Sequence, residues 1–182
     1  QGFGDGVEAD VSGLRDMVAA LPESLITVSA SKNFGLYRER VGCVLAPCQN
    51  AKARDLTHAA LAWLNRQNYA FPPDHGARVV TTILTDPALR AEWQEELDGM
   101  RARIKANRTA LATELRRLTG SDRFGFLQSH KGMFTVLGLT REQVTSLREE
   151  HGLYMVEDSR INLAGLTDAT VPLAAEAIAA VL

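Results

Sequence analysis

Apolar positions recur at helical spacing through most of the chain, and short apolar runs interrupt them. Residues 1–10 are a glycine-rich loop, and Val11, Leu14, Met17 and Val18 then predict a short amphipathic helix over 11–20. The β-rich runs 24–29 and 41–46 predict two buried strands, the second ended by Pro47. The polar stretch 31–40, with Gly35 inside it, predicts the loop between them. Leu56, Ala59, Ala60, Trp63 and Leu64 share one face of a helix over 51–67. Pro72-Pro73 breaks the chain, and 76–84 predicts a short apolar helix.

Asp86-Pro87 is a strong helix start, because an aspartate can cap the free N–H groups and a proline suits the first helical position. From there Leu89, Trp93, Leu97, Met100, Ile104, Leu111 and Leu115 continue to a stop at Gly120. A helix over about 86–119 is long for one small domain and predicts a bridge between two. Further on, 124–127, 133–137, 153–156 and 160–163 predict short strands. Thr140-Arg141-Glu142-Gln143 is a capping box, opening a helix that ends at Gly152, and 171–182 is an alanine-rich helix. There are no repeats, and the mixture of strands and helices implies an α/β or α+β protein.

Composition narrows the function classes. The chain has 182 residues, 46% hydrophobic and 23% charged, the profile of a globular protein. A net charge of −2 gives no field that favours nucleic acid or an anionic membrane. The basic stretch 101–117 has acidic residues interspersed and no interleaved aromatics, so it reads as a solvated helix face. Cys43 and Cys48 give neither a disulfide framework nor a four-ligand metal set, and His58, His75, His130 and His151 lack metal-ligand spacing. No apolar run approaches the roughly 20 residues of a membrane span. No signal peptide is expected, and the cysteine usage fits a reducing, cytoplasmic compartment. The opening Gln1-Gly2-Phe3-Gly4-Asp5-Gly6 has Val7 where a dinucleotide fingerprint needs its third glycine. It reads as the middle of a loop and predicts a fragment, with a native start trimmed by processing as the alternative.

The candidate chemistry lies in Ser29-Ala30-Ser31-Lys32-Asn33-Phe34-Gly35-Leu36-Tyr37-Arg38-Glu39-Arg40-Val41-Gly42. Burying an ammonium at the end of a strand is costly. The cost is tolerable when the amine becomes a Schiff base, and desolvation favours its neutral, nucleophilic form. Ser29, Ser31 and Arg40 supply the hydroxyl and guanidinium donors that a phosphate needs. Alone, these residues read sooner as an ordinary surface lysine after a strand.

The whole run resembles the cofactor-lysine motif S-x-S-K-N-F-G-L-Y-x-E-R-x-G of the aspartate and aromatic-amino-acid aminotransferases, subgroup Ia of the fold-type I pyridoxal-phosphate enzymes. The resemblance runs to Leu182 and implies the C-terminal half of such an enzyme. The implied fold class is α/β: the remainder of a large cofactor domain over 1–88, and an α+β small domain over 89–182, joined by the long helix. It implies that Lys32 binds pyridoxal 5'-phosphate covalently and shuttles the substrate proton, with Ser29, Ser31 and Arg40 around the phosphate.

Arg66, in Arg66-Gln67-Asn68-Tyr69-Ala70-Phe71-Pro72-Pro73, is similar to the arginine of R-x-N-Y-S-N-P-P. The resemblance implies that it crosses a dimer interface to the substrate's side-chain carboxylate. Ala70 and Phe71 depart from that pattern, and a solvated arginine at a helix C-terminus is the plain alternative. Arg160, in Ser159-Arg160-Ile161-Asn162-Leu163-Ala164-Gly165, is similar to the arginine that clamps the α-carboxylate. Glu157 and Asp158 replace small residues there, and an ion pair with either would also explain Arg160. Phe134 matches an aromatic bordering the substrate pocket, or is a core strand residue.

The implied activity is ping-pong transamination between aspartate or aromatic amino acids and 2-oxoglutarate, in a homodimer. The implied partners are small amino and 2-oxo acids, with no nucleic acid, no membrane and no metal. The ring-binding carboxylate, its tyrosine and the glycine-rich phosphate turn have no counterpart here. A catalytically incomplete fragment, or a structural module derived from such an enzyme, is therefore the second expectation.

Overall fold

The computed structural model describes residues 1–182. Helices α1 (Val7–Asp10), α2 (Ser12–Ala20), α3 (Ala51–Tyr69), α4 (His75–Thr85), α5 (Pro87–Thr119), α6 (Arg141–His151) and α7 (Thr170–Ala180) are interleaved with strands β1 (Ile26–Ser29), β2 (Gly42–Leu45), β3 (Phe134–Val136) and β4 (Arg160–Asn162). The chain divides into two compact units, Gln1–Gly2 with Val7–Leu97 and Phe3–Gly6 with Asp98–Leu182. Helix α5 begins in the first and ends in the second. Its start follows from the sequence: the Asp86 carboxylate accepts from the N–H groups of Ala88 at 2.8 Å and Leu89 at 3.1 Å, satisfying donors that no helical carbonyl reaches.

In the first unit β1 and β2 pair antiparallel, with Ile26 opposite Leu45 and Ser29 opposite Gly42. The pairing needs glycine at 42, because a Cβ there would collide with the Val28 carbonyl oxygen. Neither strand is buried: Val28, Val44 and Leu45 are exposed, because no second layer of this chain covers the ribbon. A short apolar run does not say by itself whether anything packs on it.

Helix α3 corrects the expected face. Leu56, Trp63 and Leu64 are exposed, and the half-buried stripe is Ala53, Thr57, Leu61 and Asn65. Alanines and leucines lie all around this helix, so both stripes satisfy a four-residue spacing and tertiary packing decides between them. Helix α4 starts against the loop after β1. A Cβ on Gly76 would collide with the Val41 side chain, and His75 Nδ1 lies 3.0 Å from the Glu39 carboxylate.

In the second unit Ile104, Leu111, Ala112 and Leu115 of α5 form a buried stripe. The other buried apolar residues include Phe124, Leu127, Val144, Leu147, Ile161, Leu163, Val171, Ala175 and Ile178. Arg108 sits in the α5 stripe, only 2% exposed. Its Nη2 donates to the carbonyls of Gly132 at 2.7 Å and Phe134 at 2.9 Å, and more distantly to Lys131. Burial pushes its pKa below the ordinary guanidinium value. The Asn107 amide donates to the carbonyls of Leu163 and Leu166, both at 2.9 Å, tying the turn after β4 to α5.

Strands β3 and β4 pair antiparallel with Thr135 opposite Ile161, both buried, so the alternation turns Phe134, Val136, Arg160 and Asn162 outward. The capping box forms as the pattern requires. Thr140 Oγ1 accepts from Gln143 N at 3.2 Å, and Gln143 Oε1 accepts from Thr140 N at 2.9 Å. Three further expectations fail. Residues 7–10 are helical rather than loop. The 124–127 run is a 3-10 turn, Gly125–Gln128, since an i to i+3 bond from Leu127 N to the Phe124 carbonyl rolls it up. Residues 153–156 form no strand, because only Val156 N reaches the β4 end, at 3.4 Å from the Arg160 carbonyl.

Candidate active site

The lysine segment is the connection of a hairpin. Beyond the last ladder pair, Ala30 N donates to the Val41 carbonyl at 3.0 Å. Continuing that register places Ser31 opposite Arg40. Arg40 leaves the extended conformation there, at φ 52°, and its Nη1 donates to the Tyr37 carbonyl at 3.0 Å. Ser29 Oγ accepts from Ser31 N at 3.2 Å and donates to Ser31 Oγ at 3.0 Å, with Ser31 buried. The neck of the hairpin thus brings two hydroxyls together, Arg40 stands on the facing side with its guanidinium on the Tyr37 carbonyl, and Lys32 is the next residue outward.

Lys32 is half-buried, and its ammonium has no hydrogen-bond or ion-pair partner. The turn that follows is closed by Gly35 N donating to the Lys32 carbonyl at 3.2 Å. Gly35 has a φ of 66°, which glycine adopts without strain. Trp93 of α5, not expected as a site residue, touches this turn: its indole N–H donates to the Asn33 carbonyl at 2.8 Å. Phe34 stacks on it, with ring centroids 4.8 Å apart and planes 11° apart. The one available sequence signal was generic, that a tryptophan in a packed helix needs a partner for its N–H.

Arg66 lies in the last turn of α3 and is exposed. Its guanidinium carbon sits 5.0 Å from the centroid of the Phe71 ring, so the departure at 71 gives the arginine an aromatic face. The chain reverses between them through Ala70, at φ 65° and ψ −76°, with Phe71 N donating to the Tyr69 carbonyl at 2.9 Å. That is a three-residue γ-turn of the strained type.

In the second unit Arg160 and Phe134 share the outer face of the β3–β4 pair. The guanidinium carbon lies 6.0 Å from the ring centroid, and Phe134 is 43% exposed, so it is not a core residue. The two acidic neighbours point elsewhere. Glu157 pairs with Arg141 at 3.3 Å, and Asp158 accepts from the backbone N–H of Arg160 at 3.0 Å. No carboxylate of the chain holds the Arg160 guanidinium. Ser159, fully buried at φ 64°, fixes the approach to β4 by accepting from Gly138 N at 3.0 Å.

Ser29, Ser31, Lys32, Arg40 and Arg66 belong to the first unit, and Phe134 and Arg160 to the second. A cleft of about 480 Å³ lined by Pro22, Ser24, Ala46, Cys48 and Thr57 contains none of them.

Comparison with known proteins agrees along the whole chain. The family described as aminotransferase class I and II matches residues 1–178. The chain is 57% identical over 178 residues to the aromatic-amino-acid aminotransferase of Paracoccus denitrificans, covering 98% of this chain and 45% of that protein. It is 43% identical over 182 residues to the aspartate aminotransferase of Escherichia coli (strain K12), covering 100% and 46%. An aromatic-amino-acid aminotransferase from Burkholderia pseudomallei, solved covalently bound to pyridoxal phosphate, superposes with a TM-score of 0.88 at 41% identity, covering 100% of this chain and 46% of that one. The chain thus spans just under half the length of these relatives.

Proposed function

The chain belongs to the class I and II aminotransferases, and on that premise we propose that the whole protein transfers an amino group from aspartate or an aromatic amino acid to 2-oxoglutarate, with pyridoxal phosphate held at Lys32. The observation that carries this is the hairpin neck: a half-buried lysine with an unpartnered amine, following the bonded Ser29–Ser31 hydroxyl pair on the hairpin that also carries Arg40. Their chemistry fits the group. Two hydroxyls and a guanidinium suit a phosphate, and an amine without an acceptor is available to an aldehyde.

When bound, pyridoxal phosphate supplies that aldehyde and a ring that draws electron density from the substrate Cα. Ser29, Ser31 and Arg40 would hold the phosphate end. Lys32 would be the base that takes the proton from the substrate Cα and returns it. Arg160 binds the α-carboxylate through two parallel hydrogen bonds, and Phe134 borders the substrate. Arg66 binds a second carboxylate, or yields to an aromatic side chain. Similarity to both aromatic and aspartate enzymes supports acceptance of both donor classes.

The finer architecture follows the same reading. Residues 1–88 are part of a large cofactor domain, 89–182 a small domain, and α5 joins them. The exposed apolar face of α3, Leu56, Trp63 and Leu64, supports a homodimer in which Arg66 serves the partner's site. No helix is long and apolar enough to cross a membrane, and we place the protein in the cytoplasm.

The test loads the protein with pyridoxal phosphate, reduces it with borohydride and locates the added mass. Lys32 should carry it, and Lys32→Ala should lose it together with turnover of phenylalanine or aspartate with 2-oxoglutarate. Label on another lysine, or turnover in the Ala variant at the parent rate, refutes the assignment. A second reading holds that these 182 residues by themselves are a catalytically incomplete module. The coverage of about 45% of the relatives favours it. Turnover by the isolated 182-residue polypeptide would reject that reading.

A further inference from the structure

We propose that Trp93 is a positioning residue for the Lys32 amine, acting through the turn that follows it. The proposal rests on the reading of Lys32 as the cofactor-binding residue. Lys32 hangs between two anchored stretches of backbone. Before it, Ala30 is bonded across the hairpin and Ser31 N is held by Ser29 Oγ. After it, the turn has one bond of its own, Gly35 N to the Lys32 carbonyl at 3.2 Å, and ends at a glycine.

A turn so loosely closed would swing without an outside support. Trp93 is that support. Its N–H fixes the direction of the Asn33 carbonyl at 2.8 Å, and its indole face carries the Phe34 ring. It holds the backbone rather than the Asn33 side chain, whose buried Oδ1 has no partner. The support comes from a 33-residue helix, a rigid element 60 residues away in sequence. An amine that attacks one carbon and later moves one proton depends on such anchoring, because small displacements of a reacting group are costly in rate.

Trp93→Phe is the informative variant: it keeps a ring for Phe34 to stack on and removes only the N–H donor. In the whole protein, we expect pyridoxal phosphate capture at Lys32, followed by absorbance, to slow roughly five-fold, the worth of about one neutral hydrogen bond. kcat should fall by a similar factor with KM for both substrates unchanged and Tm within a few degrees of the parent. Trp93→Leu, which also removes the stacking, should slow capture further. Capture and kcat at parent values in Trp93→Phe overturn the proposal. So does a loss confined to Tm or to KM, which would mark a purely structural residue. If borohydride labelling of the unaltered protein lands on a residue other than Lys32, the site reading itself falls, and this proposal with it.

Discussion

Replacing Arg108 by methionine should destabilise the second unit by about 2–4 kcal/mol. The residue is buried in the apolar stripe of α5, yet its Nη2 makes two well-formed bonds, to Gly132 at 2.7 Å and Phe134 at 2.9 Å. Hydrogen bonds from a charged donor contribute about 1.5–3 kcal/mol each, so the two contribute roughly 3–6 kcal/mol. Longer contacts of 3.3 Å, to Lys131 and from Nε to Gly132, add little. Against this stands the burial of the charge itself, which lowers the Arg108 pKa and leaves Nη1 without a partner. Methionine fills similar space and relieves about 1–2 kcal/mol of that burden, but leaves the carbonyls unpaired.

The assay must report on the second unit alone. Both tryptophans, Trp63 and Trp93, lie in the first unit, so indole fluorescence would miss the event. Amide hydrogen exchange of α6 and β3 across a urea series reads it directly. Arg108→Lys should recover less than half of the loss, since one ammonium cannot reproduce the two directed bonds of the fork. Exchange in Arg108→Met within about 0.5 kcal/mol of the parent would refute the argument, since that is the scatter of substitutions that touch nothing important. It would mean that the desolvation of the guanidinium cancels its bonds.

Three further outcomes follow from particular contacts. Arg160→Lys should lower kcat/KM for both amino donor and 2-oxo acid by roughly 30- to 1000-fold, the effect of losing about 2–4 kcal/mol of paired charge-assisted bonding, with labelling of Lys32 unchanged; steady-state kinetics beside the borohydride assay checks both. Gly76→Ala should destabilise the first unit by about 1–3 kcal/mol, because the new methyl meets the Val41 side chain where α4 approaches the hairpin; indole fluorescence in urea measures it. Glu142 is held below its ordinary value of 4.5 by its own backbone N–H, then by the Thr140 side chain and Arg141, so its contribution to α6 is present above that value and lost as pH falls through the lowered one. Glu142→Gln should remove that acid-dependent step from α6 amide exchange, and an unchanged acid limb would count against the assignment.

What was legible in the sequence had short range. The Asp86 cap and the Thr140–Gln143 box are read within four residues and form as written. The lysine motif fits within 14 residues from Ser29 to Gly42 and folds as one hairpin, so its chemistry could be recognised before its geometry. Burial was less legible because it depends on what lies opposite. The β1–β2 ribbon is apolar enough for a core and is exposed here, and α3 offered two equivalent stripes. The 124–127 run has strand-like residues, but no partner strand competes with the local 3-10 bond.

The acidic pair before Arg160 shows what geometry adds to a departure from a pattern. By charge alone, Glu157 and Asp158 threaten to neutralise the arginine expected to bind a substrate carboxylate. The backbone resolves the conflict. A buried Ser159 at φ 64° turns the chain just before β4, so Asp158 folds back onto the Arg160 N–H instead of its guanidinium. Glu157 is drawn to Arg141 at the start of α6. Ser159 keeps this strained conformation because its Oγ accepts the Gly138 N–H, and its backbone bonds Leu137 and Val156. Ser159→Ala retains the strain and takes the acceptor from the Gly138 N–H. It should therefore destabilise the second unit by about 0.5–1.5 kcal/mol and also raise KM for the substrate as Asp158 drifts toward Arg160. A destabilised variant with unchanged KM would show that the turn serves the fold alone and that the acidic pair never competed for the arginine.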